Sequence, residues 1–102
     1  MVKLYQFLCE GKREFTLSKQ LLRSGTSVGA NIREAQNAES DMDFIHKLAI
    51  AQKECDETIY WLELLWKADY ITEVEFTSVY SDANEILKML RSAILTTKNK
   101  RK

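Results

Sequence analysis

The chain has 102 residues, and 15 Lys+Arg balance 15 Asp+Glu, so its formal charge is zero. That length supports one hydrophobic core rather than two, and the charge balance excludes a strongly basic coat for nucleic acid while leaving room for a local patch. With no proline and three glycines, an architecture of many short strands and tight turns is excluded, and long helices lead.

The first predicted helix is short, Val2 to Glu10, with Leu4 and Leu8 at i,i+4 and Tyr5 and Cys9 beside them. Gly11 follows and is expected to end it in a left-handed conformation. The second runs from Glu14 or Leu17 to Ala38. Its apolar stripe is Leu21, Gly25, Val28, Ile32 and Ala35, stepping 4, 3, 4, 3, which is helical spacing. Gly25 and Gly29 each cost about 1 kcal/mol relative to Ala inside a helix. The pair is therefore expected to admit a closely packed neighbouring backbone, and Gly25→Leu to disrupt that contact.

The third helix is expected to begin at Ser40 as N-cap. Asp41 and Asp43 suit the positive end of the helix dipole, and Phe44, Leu48, Ala51, Cys55, Leu62 and Leu65 form its core stripe as far as Lys67 or Ala68. After a loop at Ala68–Ile71, the run Thr72-Glu73-Val74-Glu75 has capping-box spacing and opens a fourth helix with the stripe Phe76, Ala83, Leu87, Leu90 and Ile94. Residues 1–97 then form one domain, and 98–102 a basic, fraying tail. Short links between long amphipathic helices favour an all-α, up-and-down antiparallel four-helix bundle with a short first helix. That shortness leaves part of the bundle groove uncovered. Either a neighbouring subunit fills it, or the chain begins downstream of its natural start.

A polar stripe runs beside the apolar one on the second helix: Ser24, Ser27, Asn31 and Glu34, bordered by Arg23. Lys47, Glu54, Glu57 and Trp61 are its potential partners on the third helix. The main reading is a structural network that sets helix register or subunit contact; the other is a ligand or nucleic-acid site. Asp43 and His46, or Glu54 and Glu57, have i,i+3 spacing, yet one histidine and no Glu-x-x-His pair argue against a di-metal site. There is no nucleophile elbow, Walker loop or dinucleotide fingerprint, so neither an enzyme nor a cofactor is expected. Lys98, Lys100, Arg101 and Lys102, with Arg91 and Arg23, are the candidate nucleic-acid contacts. Tyr60, Trp61 and Trp66 lack interleaved arginines and read as packing residues. The first residues lack a long apolar run, and no segment reaches the roughly 20 residues of a membrane span, so a cytoplasmic protein with Cys9 and Cys55 reduced is expected.

The stretch Gln20-Leu21-Leu22-Arg23-Ser24-Gly25-Thr26-Ser27-Val28-Gly29-Ala30-Asn31-Ile32-Arg33-Glu34-Ala35 resembles the signature of the bacterial four-helix-bundle family, also called the 23S rRNA intervening-sequence protein family. Ser40, Asp43-Phe44, Lys47, Ala51, Lys53-Glu54, Glu57-Thr58 and Tyr60-Trp61-Leu62 continue the likeness, which covers about residues 14 to 95. The resemblance implies an up-down bundle, a ring-like homopentamer and, through a basic branch associated with retroelements, contact with RNA or DNA. It implies no catalytic role for Arg23, Ser24, Ser27, Asn31 or Glu34. Two departures stand out. The first helix is shorter than the family's, and the chain is neutral where the nucleic-acid-binding branch is basic. A self-assembling protein with nucleic-acid association is one expectation; an oligomeric scaffold or protein-binding module without it is the other.

Overall fold

The computed structural model describes residues 1–100 and contains α1 (Val2–Glu10), α2 (Thr16–Gln36), α3 (Asp41–Lys67) and α4 (Glu73–Lys100). These are the four expected helices, arranged up and down. Each boundary has a local cause. The α1 ladder continues into Gly11, whose N–H donates to the Phe7 carbonyl at 2.8 Å. Gly11 therefore stays right-handed (φ −85°), contrary to the left-handed stop expected of it. The reversal falls on Arg13 instead, at φ 54°. The carboxylate of Glu14 then caps α2, accepting from the amides of Leu17 (3.1 Å) and Ser18 (2.8 Å), while the Ser18 hydroxyl donates back to the Glu14 carbonyl at 2.6 Å. Those bonds allow a carboxylate to sit buried at a helix start.

Ser40 caps α3 by accepting from the Asp43 amide at 3.0 Å. The α3–α4 link turns at Asp69, φ 65°. At α4 the expected capping box closes in both directions: the Thr72 N–H donates to Glu75 Oε1 (2.8 Å), and the Glu75 N–H donates to Thr72 Oγ1 (3.1 Å). The helix does not fray at Thr97. The Thr97 hydroxyl donates to the Ala93 carbonyl at 2.9 Å, and no Gly or Pro follows to stop the ladder. Lys98 and Lys100 thus lie on the last helical turn, and Arg101 and Lys102 lie outside the described residues.

The helices form an incomplete square. α3 is flanked by α2 and α4, and α1 lies along α2, with Leu8 reaching the leucines of α3. Side-chain pairs fix the registers: Ser24 with Thr58 and Glu34 with Lys47 between α2 and α3, and Cys55 with Ala83 between α3 and α4. Two core clusters result. Leu8, Leu21, Leu62, Leu65 and Ile71 pack together where α1 is present. Val28, Ala35, Leu48, Ala51, Cys55, Ala83, Leu87 and Leu90 pack where it is not. The glycine pair fails as a close-packing device. A Cβ on Gly25 would meet the side chain of Met1 (Cγ at 2.6 Å) rather than a neighbouring backbone, and one on Gly29 would meet nothing within 4 Å. Gly29 faces the edge that α1 stops short of.

Candidate functional site

The predicted polar stripe lies along the α2–α3 seam. Ser24 is completely buried. Its hydroxyl donates to the Leu21 carbonyl at 3.3 Å, and Thr58 Oγ1 lies 3.0 Å from it. Thr58 Oγ1 is also 2.8 Å from the Glu54 carbonyl, so its single proton chooses between two acceptors. Asn31 Nδ2 turns back to Ser27, donating to its carbonyl (2.9 Å) and its Oγ (3.2 Å). Glu34 pairs with Lys47 at 3.5 Å.

The charged end of the seam centres on Arg23. Its guanidinium donates to Glu57, and Nη1 stands 4.0 Å from Glu54 Oε2. Trp61 Nε1 donates to the same Glu57 oxygen at 3.2 Å. Glu54 is buried, and among the described residues its Oε2 has no hydrogen-bond partner. The Arg23 guanidinium gives that carboxylate a partly exposed counter-charge at 4.0 Å. The arrangement ties two helices in one register. It presents neither an activated nucleophile nor a base aimed at a substrate cleft.

The other candidates do not converge. From the helix registers, Arg23 lies opposite Glu57 and so level with α4 near Ser81. Lys98 is seventeen residues along, about 25 Å away at 1.5 Å per residue. Arg91 lies exposed between them. Among the described residues, no group of three His, Cys, Asp or Glu side chains is placed to hold a metal. Both cysteines are free. Burial pushes the Cys55 thiol up, the Asp56 charge adds to the effect, and Arg91 opposes it; the thiol donates to the Ala83 carbonyl at 3.3 Å. The aromatics are spent on one another. Trp66 stacks on Phe76 (centroids 4.5 Å apart), Phe76 on Tyr80 (5.4 Å), and Tyr60 meets Trp61 edge-on at 5.0 Å.

The sequence pointed to an uncovered groove without giving its address. It lies between α2 and α4, where a cavity of about 250 Å³ is lined by Met1, Gly25, Val28, Val79, Asp82 and Ile86, among others. The signal for it was a second stripe on α4, Val79, Asp82, Ile86, Met89 and Ala93, stepping 3, 4, 3, 4 beside the core stripe.

A helical bundle held by an internal polar seam, with one edge open, defines the class of protein. The chain belongs to the 23S rRNA-intervening sequence protein family, whose model matches residues 1–92. It is similar to a crystal structure described as a protein with unknown function from the S23 ribosomal protein family of Bacteroides thetaiotaomicron VPI-5482. The identity is 57% over 91% of this chain and 86% of that one, with a TM-score of 0.90. No curated protein matches the chain.

Proposed function

We infer that this protein works by assembling with itself, as a non-enzymatic helical scaffold in the cytoplasm. The observation that carries this reading is how its surface is divided. The polar side chains of the predicted stripe are consumed between α2 and α3, while apolar side chains along the α2–α4 edge stay open. Met89 is 65% exposed, and Val79 and Ile86, which pack against the core, keep part of their surface open. Large apolar patches on a soluble chain mark interaction surfaces. No helix among the described residues is long and apolar enough to cross a membrane, which directs that surface toward protein.

The family's association with rRNA genes raises RNA as a further partner. The neutral chain and the separation of Arg23 from Lys98 and Lys100 favour the scaffold reading over it. Sedimentation velocity of the purified chain tests self-association; a monomer throughout the micromolar range overturns it. A gel shift with structured RNA at low and moderate salt is expected to show no complex, and a salt-sensitive shift would restore the nucleic-acid reading. The resemblance implies a ring of five, and the same sedimentation experiment counts the copies.

A further inference from the structure

We propose that the α2–α3 seam is completed by a cation from a second copy of this chain, Lys88, which takes Glu57 so that Arg23 moves onto the buried Glu54. This rests on the self-association reading and names a polar contact for it, the residues on both sides and its symmetry.

One polar group of the seam is left over. Glu54 is 8% exposed, and among the described residues its Oε2 has no hydrogen-bond partner. A buried carboxylate oxygen left unbonded is costly, so the seam calls for one more donor. The cation that faces it is already engaged: the Arg23 guanidinium donates to Glu57, with Nη1 4.0 Å from Glu54 Oε2. Lys47, farther along the seam, is paired with Glu34. Two carboxylates therefore share one guanidinium. A shift of about 1 Å brings Arg23 within hydrogen-bond distance of Glu54. Glu57 keeps a donor through that shift, because Trp61 Nε1 donates to it at 3.2 Å. Glu57 is also the accessible carboxylate, with 29% of its side chain exposed, so the second cation enters there.

The chain carries its own supply of that cation. Its charge is zero overall but segregated. α3 has six acidic residues against three lysines, whereas α4 from Lys88 to Lys100 has four cations and no acid. A neutral chain divided in this way complements a second copy of itself. Lys88 is exposed and makes no salt bridge among the described residues. Asn84, Lys88, Arg91 and Leu95, stepping 4, 3, 4, form a stripe on the flank of α4 that faces away from Ile86 and Met89. Glu54, Glu57, Trp61 and Leu64, stepping 3, 4, 3, form the receiving stripe on α3.

The two stripes lie on faces of the bundle that adjoin at α3, α3–α4 for the donor and α2–α3 for the acceptor. A contact between two different faces is heterologous, and because these adjoin rather than oppose, successive copies turn and close a ring. With the ring axis along the bundle, the copies stand level, and the registers within one chain carry over between them. Cys55 opposite Ala83 then puts Lys88 level with residue 50 of α3, seven residues or about 10 Å from Glu57. Side chains lean toward the N-terminus of their own helix. On antiparallel helices Lys88 and Glu57 therefore lean toward each other and meet near the level of Glu54.

The test is sedimentation velocity of the wild type and four variants, each checked by circular dichroism melting at a concentration that keeps the chain dissociated. The wild type is expected to form a ring of more than two copies. Lys88→Ala alters an exposed side chain and is expected to leave the melting unchanged. Lys88→Ala and Glu57→Gln are each expected to weaken the assembly by roughly tenfold, and the two together by no more than either alone. Glu54→Gln removes the buried charge, so Arg23 stays on Glu57. That variant is expected to melt no lower than the wild type and yet to assemble as weakly as Glu57→Gln. A monomeric wild type overturns self-association and this contact together. A dimer, an assembly indifferent to Lys88→Ala, or losses that add in the double variant overturn this contact and leave self-association standing. An assembly that Glu54→Gln leaves at full strength overturns the movement of Arg23.

Discussion

The two halves of the bundle are built from the same three long helices yet are sealed to different degrees. In the half that α1 covers, Leu8, Leu21, Leu62 and Leu65 are fully excluded from solvent. In the other half, Val28, Ala83, Leu87 and Leu90 keep 5–7% of their surface, and the packing depends on small groups such as Ala35, Ala51 and Cys55. A nine-residue helix is too short to be stable alone. It holds because Leu8 enters a pocket of leucines and Glu14 fixes the turn behind it. The comparison teaches that three helices, with α3 between the other two, bury leucines such as Leu48, Leu87 and Leu90 to 4–5% exposure, and that the fourth removes the last few per cent.

Large-to-small substitutions should expose that difference most strongly. Leu62→Ala in the closed half is expected to cost about 4 kcal/mol, near the top of the usual range, because the surrounding leucines cannot collapse into the void. Leu87→Ala beside the open groove is expected to cost nearer 2 kcal/mol. Urea unfolding of the two variants measures the gap; equal losses would mean that the halves are equally rigid. Next in size is Arg23→Ala, which spans neither core but leaves Glu54 Oε2 buried without its counter-charge. A loss of about 2 kcal/mol is expected, and Glu54→Gln in the same background should recover part of it. No recovery would show that Arg23 contributes packing of its stem instead.

The helices and most caps were legible because their causes are local. The spacing of Leu48, Ala51, Cys55 and Leu62 gives the α3 face, and Ser40 and the Thr72–Glu75 pair announce their helix starts within four residues. The polar stripe was legible as a face. Its pairing of Arg23 with Glu57 and Ser24 with Thr58 depends on a register between residues 34 apart, which periodicity suggests but does not set. Gly11 misled because the identity of the left-handed residue depends on where the α1 ladder runs out, and it runs out two residues later, at Arg13. Gly29 misled for the opposite reason. A glycine facing a tight neighbour and one facing open solvent look alike in sequence, and only the reach of α1 separates them.

That last difference makes the glycines the sharpest probe of where the covered half ends. Gly29→Ala places a methyl in open space on a helix interior and is expected to raise the stability of the single chain by about 1 kcal/mol. Gly25→Ala gains the same helix preference but must displace Met1, so its net effect is expected to be smaller. Thermal melting at a concentration low enough to keep the chain dissociated compares them. If Gly25→Ala were the more stabilising, Met1 would not be seated where the groove begins.

An effect of comparable size lies at the start of α4, under the covered half. The Glu75 carboxyl is held below its ordinary range first by the Thr72 backbone N–H and then by the Thr72 hydroxyl. Its folded-state value is therefore lower than its unfolded one. The stabilisation is complete above the unfolded carboxylate range and disappears as pH falls through the lowered folded value. Thr72→Ala removes the hydroxyl half of the cap and is expected to cost about 1 kcal/mol at neutral pH. Glu75→Gln keeps a carbonyl acceptor for the Thr72 amide but no longer titrates. The difference in melting temperature between wild type and Glu75→Gln should then shrink steadily as the solution is acidified. A difference independent of pH would mean that the carboxylate charge plays no part in holding the last helix to the closed end of the bundle.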